Sequence, residues 1–239
     1  MDRQHDTLII IPAYNEQENI GRVIREIRET RYPVDVVVIN DGSTDATPRR
    51  AREAGAVVIN LPFNLGIGGA VQTGFKYALR HGYEYAIQLD GDGQHVASEI
   101  NKILEPVKNG EADMAIGSRY LGESDYKTPL MRRLGMLVFS FVNSALIGQK
   151  VTDNTSGFRA FSRRAILFLA KYYPADYPEP EAVVVLGRNG FKIKEVSVRM
   201  RPRAAGESSI NAFRSVYYMV KVLLAIFVDV FKSYQKVSA

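Results

Sequence analysis

Short apolar segments alternate with longer segments whose apolar residues recur at helical spacing. The apolar segments are rich in Val and Ile and lie at Leu8–Pro12, Val34–Asn40, Ala56–Leu61, Tyr85–Leu89 and Met114–Gly117. Such runs are typical of buried parallel strands, and the periodic segments between them are typical of helices. Because strands alternate with helices, we predict an α/β fold with a mostly parallel sheet flanked by helices.

A polar cluster follows each of these predicted strands. The clusters are Ala13–Glu16, Asp41–Asp45, Asn64–Gly69, Asp90–His95 and Ser118–Tyr120. Ligands of parallel α/β sheets bind beyond the carboxyl ends of the strands. The sequence therefore predicts a binding site built from these clusters.

Length and charge limit the classes of protein that fit. The 239 residues are enough for one α/β domain, and the formal net charge of +5 favours anionic partners such as nucleic acid, acidic lipid or phosphorylated substrates. The absence of cysteine excludes disulfides and thiolate metal sites. No run reaches about 18 apolar residues, and the N-terminus lacks the pattern of a signal peptide. We therefore expect neither a transmembrane helix nor a signal peptide.

The pattern changes after about residue 125. It predicts a long apolar helix over Leu130–Ile147, a polar segment over Thr152–Phe161 with a helix to Tyr173 after it, a proline-containing turn over Asp176–Glu181, a strand over Phe191–Met200 and a helix over Ser209–Tyr234. No linker or repeat interrupts the chain. We predict one domain over residues 1–210 and an amphipathic helical tail over 211–239.

Two carboxylates follow the fourth predicted strand, at Asp90 and Asp92, with glycines at 91 and 93. In a tight turn they can converge on one hard cation, and Mg²⁺ or Mn²⁺ prefers oxygen ligands and bridges diphosphates. A plain acidic loop is the alternative. In the cluster Asp41–Asp45, the side chains of residues 43–45 are equally suited to cap the next helix, with Asp41 facing a ligand. The glycines of Asn64–Gly69 fit neither known phosphate-loop spacing and are also compatible with tight packing.

Seven motifs in order resemble the family-2 glycosyltransferases of the GT-A fold, which is Rossmann-like. Four are PAYNE (Pro12–Glu16), VINDGSTD (Val38–Asp45), NLGIGGA (Asn64–Ala70) and LDGDGQH (Leu89–His95). GSRY (Gly117–Tyr120), TSGFRAF (Thr155–Phe161) and RPRAAGESS (Arg201–Ser209) are similar to the dolichyl-phosphate mannose synthase branch, which transfers sugars to polyprenyl phosphates. The resemblance covers roughly residues 7–210 and implies inverting transfer of a hexose from a nucleoside diphosphate sugar, with a uridine donor expected.

The resemblance also implies roles for individual residues. It assigns binding of the donor to Pro12, Tyr14, Glu16, Asp41, Asn64, Gly69, Asp90 and Gly91. It assigns binding of the cation, Mg²⁺ or Mn²⁺, to Asp90, Asp92 and Gln94. It assigns binding of the acceptor phosphate to Arg119, Arg133, Arg203 and Ser208. Arg132 matches the motif as well as Arg133 does. Asp92, Arg119 and Arg203 are the expected catalytic residues, and the guanidinium fork suits phosphate.

Two alternatives stay open for the function. A sugar hydroxyl acceptor would need a carboxylate base, and Glu179 or Glu181 is the candidate, although these acids and their prolines are also compatible with an exposed turn. A non-catalytic nucleotide-sugar binder acting with a membrane protein is the second alternative. A phosphate acceptor needs no base, because it is anionic at neutral pH.

The predicted tail helix carries a polar stripe on a wide apolar surface. It is suited to lie in a membrane interface, to pack on a partner helix or a second copy of the chain, or to close the protein's own core. We expect a peripheral protein at the cytoplasmic face of the cell membrane. We expect no nucleic-acid partner.

Overall fold

The computed structural model describes residues 4–121, 140–201, 221, 222, 224–228, 232 and 234. Within these residues, one sheet contains seven strands, which are β1 (Thr7–Ala13), β2 (Val34–Asn40), β3 (Val57–Asn60), β4 (Tyr85–Gln88), β5 (Met114–Ser118), β6 (Arg159–Ser162) and β7 (Ile193–Ser197). The helices are α1 (Ile20–Glu29), α2 (Thr47–Glu53), α3 (Gly66–Arg80), α4 (Ile100–Lys108), α5 (residues 140–147), α6 (Arg163–Tyr172) and α7 (Pro178–Arg188). A short 3₁₀ helix over Ala97–Glu99 precedes α4.

The strand order is β3-β2-β1-β4-β6-β5-β7. All neighbours are parallel except at β6, which is antiparallel to both β4 and β5. The prediction of a mostly parallel sheet is confirmed. The sequence analysis missed β6, because its four residues begin with an arginine and end with a serine, and so show no long apolar run.

Helices cover both faces of the sheet. Along β1, Leu8 and Ile10 join the cluster formed with α3, α6 and α7, whereas Ile9 and Ile11 join the cluster formed with α1 and α4. Side chains alternate between faces along a strand, so a strand buried on both faces must be apolar throughout. Burying each of these four side chains stabilises the fold by roughly 1.5–3 kcal/mol.

The proline-containing segment over Asp176–Glu181 was predicted as a turn, and this prediction is wrong. Pro178 begins α7, and Pro180 lies in its first turn. Proline is tolerated there because the first helical N–H groups have no intrahelical acceptor. Glu181 caps the helix, since its Oε1 accepts a hydrogen bond from the backbone N of Tyr177 at 2.8 Å. Both prolines and Glu181 are buried, so the segment is not an exposed turn.

The glycine-rich segment Asn64–Gly69 is only partly a loop. Residues from Gly66 onward form the first turn of α3, and Asn64 Oδ1 accepts a hydrogen bond from Gly66 N at 3.0 Å. Gly68 serves close packing, because a Cβ there would lie 2.6 Å from the backbone oxygens of Pro174 and Ala175. The packing alternative is thus correct for Gly68.

Part of the tail helix is described at residues 221, 222 and 224–228. Val222 and Ile226 are buried against Val184 of α7, with Leu146 of α5 beside them. At least this part of the helix therefore closes the protein's own core. No helix in the described part of the chain is long and apolar enough to span a bilayer. The boundary at residue 210 stays a prediction.

Candidate active site

A pocket of about 230 Å³ opens at the carboxyl ends of β1, β2 and β4. It is lined by Pro12, Ala13, Tyr14, Glu16, Asp41, Ile67, Ala70, Asp90, Gly91 and Asp92. Six of the eight predicted donor-binding residues are among these. Asn64 and Gly69 do not line it, but they lie at the start of α3 beside Ile67 and Ala70, which do.

The loops after β1 and β2 are joined by reciprocal hydrogen bonds. Asn15 N donates to Ser43 Oγ at 3.0 Å, and Thr44 N donates to Asn15 Oδ1 at 2.9 Å. Asn15 adopts a left-handed backbone with φ of 53°, which asparagine tolerates better than most residues. These contacts fix the neighbouring Tyr14 and Glu16 on the pocket wall.

Asp45 makes the contact expected of it near the start of α2, and Asp41 lines the pocket. Asp45 Oδ1 accepts from Thr47 N at 2.9 Å at the start of α2. Burial favours its neutral form, but hydrogen bonds from Thr47 and Gln17 outweigh burial and hold the pKa of Asp45 below its usual value. Asp41 lines the pocket and accepts a hydrogen bond from Leu65 N at 2.7 Å, which connects β2 to the start of α3.

The Asp90 carboxylate contacts His95 and packs closely against Gly157. His95 Nε2 lies 2.9 Å from Asp90 Oδ2, while Oδ1 is buried without a hydrogen-bond partner among the described residues. Burial alone would raise the pKa of Asp90, but the His95 contact and the charges of Arg119 and Arg159 hold it below its usual value. Gly157 also packs closely against this carboxylate, since a Cβ added there would lie 2.5 Å from Oδ2 and 2.6 Å from Oδ1.

These residues fit a divalent cation. Asp90 and Asp92 both line the pocket, and the orphaned Oδ1 of Asp90 is the kind of oxygen that a hard cation binds. The described residues contain no group of three acidic, histidine or cysteine side chains suited to a metal. Two carboxylates suffice for Mg²⁺ or Mn²⁺ when phosphate and water complete the shell. Gln94 does not line the pocket, and its backbone N donates to Asp92 Oδ1 at 3.0 Å, so its metal role stays a prediction.

The sequence profile of glycosyl transferase family 2 matches residues 8–168, two thirds of the chain. The chain belongs to this family. It is 32% identical to the polyprenol monophosphomannose synthase of Mycolicibacterium smegmatis, covering 90% of this chain and 85% of the relative. It is 30% identical to the UDP-N-acetylglucosamine–dolichyl-phosphate N-acetylglucosaminyltransferase of Methanococcus voltae, covering 92% and 97%. The resemblance to this branch is confirmed.

Solved structures confirm the GT-A fold of this glycosyltransferase. The glucosyl-3-phosphoglycerate synthase of Mycobacterium tuberculosis, crystallised with Mn²⁺, UDP and phosphoglyceric acid, aligns with a TM-score of 0.73. The alignment covers 96% of this chain and 80% of that one. At 20% sequence identity, this likeness concerns the fold alone.

Arg119 of the glycosyltransferase, which is partly exposed, forms an ion pair with the buried carboxylate of Asp153. Its Nε and Nη2 donate to the two carboxylate oxygens of Asp153 at 2.8 and 2.7 Å, and Nη2 also donates to Thr155 Oγ1 at 2.7 Å. Arg119 does not line the pocket, so its acceptor role stays a prediction. Arg132, Arg133, Arg203 and Ser208 lie outside the described residues.

Arg159 is a site residue to which the sequence analysis gave no role. It is 1% exposed and donates to three backbone oxygens, those of Ser156, Glu179 and Asn154, at 2.7, 2.8 and 2.9 Å. These bonds join the loop before β6 to the start of α7. Its pKa is lowered by burial, which the nearby carboxylates oppose. The motif TSGFRAF contains this arginine, but its contacts depend on residues up to 20 positions away.

The structure separates the two candidate bases. Glu181 is engaged in capping α7, whereas the buried carboxylate of Glu179 is close enough to interact electrostatically with Asp90 and Arg159. Burial raises the pKa of Glu179, Arg159 opposes this shift, and the negative charge of Asp90 adds to it. Glu179 is therefore the better placed of the two acids.

Gly157→Ala should lower turnover by roughly a hundredfold, because the new methyl group would push the Asp90 carboxylate out of position. Steady-state kinetics with donor and Mn²⁺ would measure the loss. Gly21→Ala is the control, since its Cβ would meet its nearest neighbour at an ordinary 3.4 Å. Equal activity of the two variants would show that the methyl group of Gly157→Ala does not displace the Asp90 carboxylate.

Proposed function

We propose that this glycosyltransferase transfers a hexose, with inversion, from a UDP-sugar to a polyprenyl phosphate and requires Mg²⁺ or Mn²⁺. The observation that carries the proposal is the pocket that places Asp90 and Asp92 beside Asp41 and Tyr14. The names of two relatives support the acceptor, since they act on polyprenol and dolichyl phosphate. UDP in one relative's name and in a structural neighbour supports the donor.

The residues divide the work between donor and acceptor. Asp90 and Asp92 would hold the cation, which would supply Lewis-acid stabilisation of the leaving diphosphate. Pro12, Tyr14, Glu16 and Asp41 would hold the nucleoside, and Arg119, Arg133, Arg203 and Ser208 would position the acceptor phosphate. Because that phosphate is already anionic, positioning replaces general-base catalysis.

A thermal-shift panel of UDP-, GDP- and dTDP-sugars, each with and without Mn²⁺, tests the donor. Since a bound ligand stabilises the folded state, we expect the largest shift with UDP-sugar and Mn²⁺ together, and its loss in EDTA. A larger shift with a GDP- or dTDP-sugar would reassign the base. No shift with any donor would overturn the proposed donor site.

Glu179 favours a second candidate function, which is transfer to a saccharide hydroxyl. A base of raised pKa close to Asp90 is what a hydroxyl acceptor needs. Glu179→Gln should then lower kcat by roughly 10²–10⁴-fold, and the wild-type rate should rise with pH through the raised pKa as the carboxylate ionises. With a phosphate acceptor we expect Glu179→Gln to change kcat less than about threefold. Glu181→Gln is the control, which keeps an oxygen that can accept the hydrogen bond from Tyr177 N and should leave the pH profile unchanged.

Exposed apolar side chains on the tail helix support peripheral attachment to the membrane, which we place at its cytoplasmic face. Leu224, Phe227 and Val228 are 59%, 61% and 54% exposed, on the same helix whose Val222 and Ile226 are buried. Burying several such side chains in the interface would suffice for reversible attachment.

The double variant Leu224→Gln/Val228→Gln should lose co-sedimentation with anionic vesicles while its melting temperature stays close to that of the wild type. Substitution is a cleaner test than truncation, since removing the helix would also expose Val184. Size exclusion separates the alternatives. A smaller mass in the variant would assign the face to a second copy of the chain, and undiminished sedimentation would contradict membrane attachment.

A further inference from the structure

His95 is fixed in place independently of Asp90. The residue is 6% exposed, and its ring stacks on Phe158 with centroids 5.1 Å apart and planes inclined by 25°. Its backbone forms an antiparallel bridge with Met200, and Gln94 O beside it accepts from Arg201 N at 2.8 Å. Contacts other than the one with Asp90 therefore hold both the backbone and the ring of His95.

Only one of the two ring nitrogens of His95 has a hydrogen-bond partner among the described residues. Nε2 lies 2.9 Å from Asp90 Oδ2, while Nδ1 is buried and has no hydrogen-bond partner among the described residues. Burying a polar ring nitrogen without a partner costs free energy, and a leucine would pack on Phe158 without that cost. Packing alone therefore does not account for a histidine at this position, whereas the contact with Asp90 does.

This contact holds one oxygen of the Asp90 carboxylate, and Gly157, which has no side chain, leaves room for the carboxylate in that position. A donor in a fixed place selects one orientation of a carboxylate that could otherwise rotate. The orientation keeps Oδ2 on His95 and leaves Oδ1 without a hydrogen bond among the described residues. Hydrogen bonds of this kind to a metal-binding carboxylate commonly change metal affinity by 10- to 100-fold, as a rough guide.

We propose that His95 is a positioning residue that orients the Asp90 carboxylate for the divalent cation. The proposal rests on the proposed function, since it assumes the metal site at Asp90 and Asp92. His95 itself does not touch the cation. Its contribution is to metal affinity, and it leaves the metal-free affinity for the nucleotide unchanged.

The test measures Mn²⁺ and UDP affinities separately on the purified full chain. Calorimetry gives the Mn²⁺ Kd at saturating UDP and the UDP Kd in EDTA. We expect His95→Leu to raise the Mn²⁺ Kd roughly 10- to 100-fold and to leave the UDP Kd in EDTA unchanged. His95→Gln, which can offer an amide N–H at similar reach, should recover most of the Mn²⁺ affinity. His81→Leu is the matched control, because that ring also packs against an aromatic ring, that of Tyr77 at the end of α3, with centroids 4.1 Å apart.

Other results separate failure of this inference from failure of the proposed function. An unchanged Mn²⁺ Kd in His95→Leu would overturn the positioning role, and so would an equal weakening of UDP binding in EDTA. Wild-type protein that binds UDP but no Mn²⁺ would instead overturn the proposed metal site. If His95→Leu does not fold, His95→Gln and His95→Asn repeat the comparison, because the shorter amide cannot reach Asp90. Equal Mn²⁺ affinity in that pair would contradict the inference.

Discussion

Asp92→Asn is expected to lower donor turnover by roughly a thousandfold or more, in the presence of either Mg²⁺ or Mn²⁺. Asp92 lines the pocket two residues after Asp90, and the change replaces the charged carboxylate of a proposed cation ligand with a neutral amide. A cation that stabilises the leaving diphosphate contributes several kcal/mol, and each 1.36 kcal/mol corresponds to about tenfold in rate. Steady-state kinetics over a range of metal concentrations would measure the effect.

The same substitution should leave the fold intact. Asp92 is partly exposed on a strand-end loop, so the melting temperature should change by about 2 °C or less. Glu53→Gln is the control, since that exposed carboxylate pairs with Arg49 on α2. Near-normal turnover of Asp92→Asn with either metal would remove Asp92 from the mechanism.

Arg159→Met is expected to lower the free energy of unfolding by about 3–5 kcal/mol. The substitution leaves three backbone oxygens without their donors, and each orphaned buried acceptor costs about 1–3 kcal/mol. Urea unfolding followed by circular dichroism would measure the loss. Arg163→Met, which removes a donor from the single carbonyl of Tyr83, should cost only about 1 kcal/mol. Equal losses in the two variants would contradict the account of Arg159 as the link between the loop before β6 and α7.

The sequence predicted the first five strands well, because a parallel strand buried on both faces is a continuous apolar run. It could not predict β6, whose four residues are a strand only because β4 and β5 pair with it on both sides. It placed a turn where α7 begins, because prolines usually interrupt helices. At the first positions of α7 they do not, since no intrahelical bond is lost there.

In the candidate site, too, some residues could be predicted from the sequence and others could not. Asp41, Asp90 and Asp92 could be predicted because each follows a recognisable strand, and the ends of parallel strands meet at one edge of a sheet. Gly157 and Arg159 could not, because their roles depend on contacts made only after folding, with Asp90 and with the backbone of Glu179. The ion pair of Arg119 with Asp153 spans 34 positions of the sequence and is likewise invisible in it.

Sugar transfer to a lipid phosphate is the most direct test of the central claim. Purified protein, labelled UDP-hexose and Mn²⁺ are incubated with a short polyprenyl phosphate, and the lipid fraction is counted. We predict label in the lipid, none with EDTA or with Asp92→Asn, and an anomeric configuration opposite to that of the donor. Label that instead appears only on an added saccharide, and depends on Glu179, would contradict the polyprenyl phosphate acceptor.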